Sequence, residues 1–197
     1  ADAAGVSVHD LLSTKARSLK VGQNGLIALD WWNGNRSTLV DADLSGLIVG
    51  LRLTTTPEEI YRALLESTAF GARMIIENFE EHGVPVNEIR IAGGLLKNPF
   101  LMQMYADVTK RPLRTARTLQ AGAHGSAIFA ALAAGIYSDV EEACASMAGI
   151  SDEVYTPNEE ASAIYDRMFA MYAHLYNTLG RDPKFMHDLH ELRVEQM

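Results

Sequence analysis

Apolar residues recur at two different periods along the chain, and the changes of period divide it into predicted strands and helices. A short apolar run at residues 25–29 predicts a buried strand, and residues 46–51, with glycines at 46 and 50, predict a second short strand. Residues 88–92 alternate between apolar and polar side chains as a strand does, and residues 112–115 are a further short strand candidate. Because these strands alternate with segments of helical period, the pattern indicates an α/β fold with a partly parallel sheet.

The helix after residue 56 has the clearest start signal in the sequence. Thr56 is its predicted N-cap, Pro57 occupies the first helical position, and Glu59 completes a capping box. Gly83 is predicted to end the helix, since glycine readily adopts the left-handed conformation found after helix C-termini. One apolar stripe predicts the buried face of this helix: Leu65, Ala69, Ala72, Ile76 and Phe79.

Three later helices are also predicted. A helix of small residues is expected over residues 121–134. Ser138 with Glu141, and Thr156 with Glu159, repeat the capping-box pattern ahead of two further helices. The last long helix is predicted to bury one face: Ile164, Met168, Met171 and Leu175.

Composition and charge exclude several classes of protein. The 17 basic and 25 acidic residues give a net charge of -8, and there is no stripe of basic residues, so the chain is not expected to bind nucleic acid. Cys144 is the single cysteine, which excludes a disulfide framework and a cysteine-rich zinc site. Its place on a predicted helix indicates a buried, inert thiol.

The apolar stretches and the first residues bear on location and completeness. No stretch approaches the roughly 20 apolar residues of a membrane helix and no export signal is visible, so we expect a cytoplasmic protein with no membrane partner. The 197 residues are consistent with one large domain. Because the sequence begins with Ala1 rather than methionine, we expect a piece of a longer protein or a processed form.

The segment after the predicted strand at residues 88–92 is the sharpest local signal for a ligand. Gly93 and Gly94 let the backbone approach a flat ligand closely, because no Cβ intervenes. Asn98 and Pro99 then begin a helix, and the first backbone N–H groups of a helix are available to a ligand because they have no partner within the helix. Two interpretations remain open, a tight turn in which Asn98 is only the N-cap, and a ligand site in which Asn98 also offers its amide.

Three motifs resemble, in sequence and in their order along the chain, those of the C-terminal domain of the FGGY carbohydrate kinases. The fold of that family belongs to the actin-like, ribonuclease H-like ATPases. The resemblance covers roughly residues 20–178, with departures at Leu64 and at residues 122–124. It implies that residues 1–197 form part of a C-terminal nucleotide-binding domain lacking its leading strands. The motifs are Gly46-Leu47-Ile48-Val49-Gly50-Leu51 with residues 59–66, Gly93-Gly94 with Asn98, and Gly125-Ser126-Ala127-Ile128-Phe129-Ala130-Ala131.

The resemblance implies an ATP-dependent kinase in which two domains close over a sugar. In such kinases Gly93 and Gly94 would pass under the adenine, and Asn98 would hydrogen-bond near its edge. The cofactors would be ATP and Mg²⁺, and the partners ATP or ADP and a pentulose sugar. The catalytic aspartate, the sugar-binding groups and the phosphate loops lie upstream in the family, so no catalytic and no metal-binding residue is assigned to this chain.

One loop bears on the choice of sugar. Residues 29–37, Leu-Asp-Trp-Trp-Asn-Gly-Asn-Arg-Ser, are similar to the ribulokinase branch of the family. This implies phosphorylation of L-ribulose to L-ribulose 5-phosphate in L-arabinose breakdown. Another sugar of the same family, xylulose or glycerol, is an alternative. A non-catalytic assembly module, with the helix over residues 159–179 forming a homodimer contact, is the alternative from a different class.

Five other side chains have both a chemical and a structural interpretation. Trp31 and Trp32 could stack on a ligand ring, but packing is the commoner role of such a pair. Asp30 is a candidate base or Mg²⁺ contact, although its neighbours favour a role in a turn. His187 and His190 have no second ligand pair nearby in the sequence, which favours a structural or surface role over zinc binding.

Overall fold

The computed structural model describes residues 5–197 and divides the chain into two compact units. The first unit contains the chain up to Val86, residues 107–109 and residues 158–197, and the second contains residues 87–106 and 110–157. The helices and strands, in chain order, are α1 (Val8–Ser18), β1 (Ile27–Leu29), β2 (Leu47–Val49), α2 (Pro57–Glu81), β3 (Ile89–Ile91), α3 (Pro99–Thr109), β4 (Leu113–Ala116), α4 (Ala121–Ala133), α5 (Val140–Met147), β5 (Ile150–Tyr155), α6 (Glu159–Gly180) and α7 (Lys184–Glu195).

The strands form two small sheets. In the first unit, β1 and β2 pair antiparallel, with Ala28 opposite Ile48. In the second unit the order is β3-β4-β5, where β3 and β4 are parallel and β5 runs antiparallel to β4. The prediction of a partly parallel sheet is therefore confirmed. Strand β5 was not predicted from the sequence.

The start and end of α2 agree with the prediction. The Thr56 backbone N–H donates to Glu59 Oε2 at 2.8 Å, which together with the Thr56 side chain completes the capping box. Gly83 has a φ of 80° directly after the helix, as expected of a glycine at this position. This helix therefore begins and ends where local chemistry places it.

The caps of two later helices differ from the prediction by one and two residues. Asp139, not Ser138, caps α5, and its side chain accepts from the Glu142 N–H. Asn158, not Thr156, caps α6, and its side chain accepts from the Ala161 N–H at 2.9 Å. In both cases the residue just before the helix is an Asp or Asn, whose short side chain reaches the free N–H groups of the first turn.

The buried faces of the two long helices are also corrected. On α2, Phe79 of the predicted stripe is exposed, whereas the charged residues Arg62 and Glu66 are buried. On α6, Met171 is 54% exposed, although Met168 is buried as predicted. The buried face of α6 is mainly aromatic, and its large members are Tyr165, Phe169, Tyr172 and Tyr176.

Aromatic side chains from α2, α6 and the loop after β1 pack together in the core of the first unit. Phe70 of α2 contacts the rings of Tyr165, Phe169 and Tyr172, with centroid distances between 5.4 and 6.2 Å. Trp31, which follows β1, meets the Tyr176 ring edge to face at 5.2 Å. None of the helices between residues 5 and 197 combines the length and the apolar character needed to cross a bilayer.

Cys144 is a correction to the sequence analysis. It lies on α5 as predicted, but it is exposed rather than buried. The buried residue of that helix is its neighbour Ala143.

Candidate functional site

The Gly93–Asn98 turn joins β3 to α3 and keeps an unusual backbone conformation at its first residue. Gly93 has a φ of 95° and a ψ of −162°, a combination that side chains with a Cβ rarely adopt. A short 3₁₀ helix, Gly94–Lys97, then leads to Asn98. Only glycine is suited to the first position, so this residue type follows from the backbone itself.

Asn98 has the capping role expected of it. Its Oδ1 accepts a hydrogen bond from the Leu101 backbone N–H at 3.3 Å, and Pro99 follows at the first helical position. The Asn98 backbone N–H donates to the Leu95 carbonyl at 3.1 Å. The oxygen of the side chain is therefore used by the helix, and the orientation of the amide group is fixed by that bond.

The backbone at the two glycines is open on the side where a Cβ would stand. Within residues 5–197, a Cβ built at Gly93 or Gly94 would meet no heavy atom within 4 Å apart from its chain neighbours. The same holds for Gly122 and Gly125 near the start of α4, leaving aside the backbone of that helix. The turn is thus not filled by side chains of the described part of the chain.

The sheet topology places this turn at an edge where ligands commonly bind. Because β3 and β4 are parallel, their carboxyl ends meet at the same edge of the sheet. Gly93 follows β3, and residues 117–120 lead from the end of β4 to α4. In open α/β sheets, ligands bind in the crevice beyond the carboxyl ends of parallel strands.

The loop after β4 is fixed to the neighbouring strand. The Arg117 backbone N–H donates to the Gly149 carbonyl at 3.0 Å, and its Nε donates to the Ile150 carbonyl at 3.1 Å. A Cβ at Gly149 would lie 2.8 Å from the Arg117 side chain, so the arginine packs directly on this glycine. This contact could not be predicted from the sequence, because strand β5 beside it has no clear strand pattern.

At the first strand of the same sheet, two arginines converge on one carboxylate. Glu88 accepts from Arg90 Nε at 2.7 Å and from Arg114 Nε at 3.1 Å. The hydrogen bond from Arg90 is the main cause that lowers the pKa of Glu88 below its usual value. This surface cluster ties β3 to β4 at the end opposite to the glycines.

The tryptophan pair of the loop after β1 divides into a core residue and an exposed residue. Trp31 is 1% exposed, and Trp32 is 55% exposed. The Trp32 ring covers Gly46, where a Cβ would clash with it. The packing interpretation therefore holds for Trp31, while the Trp32 ring remains accessible on the surface.

Asp30 has a tertiary contact rather than the turn role favoured by the sequence. Its Oδ1 accepts a hydrogen bond from the Tyr172 hydroxyl at 2.7 Å, and its other oxygen lies against Gly71 of α2, where a Cβ would clash. Burial raises the pKa of Asp30, and the hydrogen bond from Tyr172 only partly opposes this. The hydroxyl of Tyr172 also has a raised pKa, mainly because it is buried.

The raised pKa of Asp30 has a consequence for stability. A carboxyl whose pKa is higher in the folded state contributes stability below its unfolded pKa and loses it as the pH rises through the folded pKa. Asp30→Asn is therefore expected to stabilise the protein at pH 7, since the amide oxygen still accepts from Tyr172. The gain should shrink on acidification to about pH 4, near the ordinary aspartate pKa.

Thermal unfolding of both proteins at the two pH values measures this effect. The exposed residue Asp188 supplies the control, because Asp188→Asn removes the same charge without removing a buried carboxylate. The interpretation would be refuted if Asp30→Asn were less stable than the parent at neutral pH. It would also be refuted if the difference in thermal stability between the two proteins were the same at both pH values.

Comparison with known proteins gives the family. A family model described as the C-terminal domain of the FGGY family of carbohydrate kinases matches residues 2–134. The chain belongs to this family. A protein named ribulokinase from Bacillus licheniformis is 52% identical over 98% of the chain, and one from Mycolicibacterium smegmatis is 50% identical over 96%. These alignments cover 36% and 34% of the two relatives, so the chain spans about a third of their length.

The solved structures agree with the predicted fold class. A ligand-bound xylulose kinase from Lactobacillus acidophilus matches with a TM-score of 0.75 and 28% identity, over 89% of this chain and 35% of that one. Family membership and this likeness confirm the actin-like α/β ATPase fold for the FGGY chain.

Proposed function

We propose that this FGGY chain is the nucleotide-binding part of a kinase that transfers a phosphoryl group from ATP to L-ribulose, forming L-ribulose 5-phosphate. The observation that carries the proposal is the identity of about half of its residues, over nearly the whole chain, to proteins named ribulokinase. The same proposal places the protein in L-arabinose breakdown in the cytoplasm.

The Gly93–Asn98 turn is the proposed contact for adenine. The open backbone at Gly93 and Gly94 lets a flat purine approach to van der Waals distance, which any side chain at these positions would prevent. Asn98, held by its cap bond to the Leu101 N–H, would direct its amide toward the polar edge of the ring. The position beyond the carboxyl end of β3 supports this assignment.

The proposed phosphoryl transfer needs catalytic and phosphate-binding groups, and none of the residues of this chain is assigned to these roles. ATP supplies the phosphoryl group, and Mg²⁺ neutralises the charge of its phosphates. A carboxylate must also accept the proton of the sugar hydroxyl, and oriented donors must hold the phosphates. We therefore expect the 197-residue chain to bind adenine nucleotide weakly and not to phosphorylate sugar by itself.

Ribulose is favoured over the other sugars of the family. Proteins named ribulokinase are 50–52% identical to the chain, whereas the solved xylulose kinase is 28% identical. Residues 29–37 are the loop that supports this choice within the chain. Comparing kcat/KM for ribulose, xylulose and glycerol in the protein that contains this chain tests the preference, and a preference for xylulose or glycerol would contradict it.

A substitution at Gly94 tests the adenine contact. Gly94→Val is expected to raise the Kd for ADP by about tenfold or more, a loss of ~1.4 kcal/mol. The new side chain would occupy the space of the purine, yet it has room in the protein itself, since a Cβ at Gly94 meets no described atom within 4 Å. Isothermal titration with ADP measures the change, and circular dichroism checks the fold.

Two further variants serve as controls. Gly83→Asn replaces a glycine of positive φ at the end of α2, where asparagine is tolerated, and should leave ADP binding unchanged. Asn98→Ser keeps a capping oxygen but removes the amide, so it should weaken ADP binding with little loss of stability. Unaltered ADP affinity in Gly94→Val would refute the adenine contact. A non-catalytic assembly module, by contrast, would form dimers and would not bind nucleotide at all.

A further inference from the structure

The structure brings together two aspartates and two histidines from two segments that are far apart in the sequence. His187 and His190 lie on α7, three residues apart on one helix face, and they meet the loop that carries Asp41 and Asp43. We propose that Asp41, Asp43 and His187 bind a divalent transition-metal ion, with His190 as an additional ligand within reach. This cluster lies in the first unit and has no part in the proposed nucleotide contact.

The distances between the ligand atoms of these side chains are close to those expected around a bound ion. One ligand atom from each of Asp41, Asp43 and His187 lies within 4.8 Å of the others. His187 Nε2 is 2.8 Å from Asp41 Oδ2, and His190 Nε2 is 3.5 Å from Asp43 Oδ1. Ligand atoms at the corners of a tetrahedron with bonds of about 2.0–2.1 Å lie ~3.3 Å apart. Both distances are near that value, and side-chain movements that shorten the largest ligand separation from at most 4.8 Å would complete the geometry.

The oxygen and nitrogen ligand atoms of the cluster favour one class of metal ion. Two carboxylates and an imidazole nitrogen provide a charge of −2 and mixed O and N ligands. Imidazole suits Zn²⁺, Co²⁺ and Ni²⁺, whereas Mg²⁺ prefers oxygen ligands and keeps its water. The ion would replace the proton between His187 and Asp41, and binding would release that proton when the histidine holds it.

The neighbouring cavity leaves room for the rest of the coordination shell. It has a volume of about 290 Å³, and Asp43 and His190 are among its lining residues, together with the exposed Trp32. Water in this cavity can therefore reach an ion from the side of Asp43 and His190. Asp41 and His187 do not line the cavity, which therefore borders the cluster on the side of Asp43 and His190.

Arg193 also lines the cavity and limits the part played by His190. Its Nη2 lies 3.4 Å from His190 Nδ1. A guanidinium can only donate, so Nδ1 accepts, and in the neutral ring Nε2 then carries the proton that faces Asp43. For Nε2 to bind an ion, the proton of the neutral ring would have to move to Nδ1, where it would face the Arg193 guanidinium instead of accepting from it. For this reason Asp41, Asp43 and His187 are the primary ligands, and the positive charge of Arg193 weakens the site.

Titration of the purified, chelator-treated protein with Zn²⁺ tests the proposal. We expect one ion per chain with a Kd in the micromolar range, and no comparable binding of Mg²⁺. Co²⁺ should give the visible absorption of a four-coordinate site with nitrogen and oxygen ligands. Thermal unfolding should shift upward with Zn²⁺, because the ion binds the folded protein in preference to the unfolded one.

Matched variants assign the ligands. Asp41→Asn and His187→Gln should each weaken Zn²⁺ binding by tenfold or more, and His190→Gln by less. Arg193→Gln should tighten it. His174→Gln is the control, because this exposed histidine of α6 is outside the cluster. Binding only at millimolar Zn²⁺, unchanged affinity in Asp41→Asn and His187→Gln, or equal loss in His174→Gln would each overturn the proposal, provided circular dichroism shows folded variants.

Discussion

Arg62→Met is expected to lower the free energy of unfolding by about 3–5 kcal/mol. Arg62 is 2% exposed, and its Nε donates to Glu66 Oε1 at 2.8 Å. Glu66 is 1% exposed, so the substitution leaves its carboxylate buried without its counter-charge. Burial raises the pKa of Glu66, and the guanidinium of Arg62 is the main opposing influence. Equilibrium unfolding in urea measures the loss.

Arg62 also holds other parts of the first unit. Its Nη1 donates to the carbonyls of Ala16 and Leu19 at the end of α1, and its Nη2 donates to the Tyr165 hydroxyl at 3.2 Å. Each of these acceptors loses a partner in the methionine variant, which adds to the cost of the unpaired carboxylate. Hydrogen exchange should therefore speed up in α1 as well as in α2.

An exposed ion pair and a double variant serve as controls. Arg90 pairs with Glu88 at 2.7 Å, about the same distance, but the Arg90 side chain is 69% exposed and that of Glu88 is 30% exposed. Arg90→Met should therefore leave the unfolding curve nearly unchanged. The double variant of Arg62→Met with Glu66→Leu should recover part of the loss, because no buried charge remains. If the two arginine variants were equally stable, the buried pair would not have the role given to it.

Trp31→Ala is expected to cost about 3–5 kcal/mol, because it leaves a large cavity in the core of the first unit. Trp31 is among the largest side chains that are fully buried. Its ring packs edge to face on Tyr176 and lies next to Gly180, where a Cβ would be 3.0 Å from it. Helix α6, which packs on Trp31, buries mostly large aromatic rings on this face. These rings have little freedom to move into the cavity that the substitution leaves. Chemical denaturation gives the change in free energy.

The adjacent tryptophan is a matched control. Trp32→Ala removes the same side chain from an exposed position and should cost about 1 kcal/mol or less. Trp31→Phe should be milder than Trp31→Ala, since it keeps an aromatic ring. It also removes the Trp31 indole N–H, a buried donor that has no hydrogen-bond partner in the described part of the chain. Similar losses for Trp31→Ala and Trp32→Ala would contradict the assignment of Trp31 to the core.

Local chemistry explains the elements that the sequence predicted well. The capping box at Thr56, the glycine after α2 and the Asn98-Pro99 start of α3 each depend on residues within one helical turn, so no tertiary information is needed. Strand β5 could not be found in this way. Its sequence, Ile-Ser-Asp-Glu-Val-Tyr, has two adjacent acidic residues in the middle, and it is a strand because it pairs with β4, with Tyr155 opposite Leu113.

The buried polar groups were missed for a different reason. Arg62 and Glu66 are four residues apart, a spacing typical of exposed ion pairs on a helix surface. Partners supplied by α1, α6 and Asn24 make their burial favourable, and those partners are distant in the sequence. The aromatic face of α6 did have a signal, because Tyr165, Phe169, Tyr172 and Tyr176 recur at helical spacing.

The two candidate sites differ in how much the sequence could reveal. The turn at Gly93 and Gly94 is a local motif between a strand and a helix, so its residues could be named without a structure. The cluster of Asp41, Asp43 and His187 could not, since His187 is more than a hundred residues away from the two aspartates and meets them only in the fold.

A crystal structure of the protein containing this chain with ADP tests most directly whether adenine lies on the Gly93–Gly94 backbone. We expect the purine ring to lie flat against these two glycines, with the Asn98 amide at hydrogen-bond distance from its edge. Nucleotide bound elsewhere, with this backbone in contact only with solvent, would contradict it.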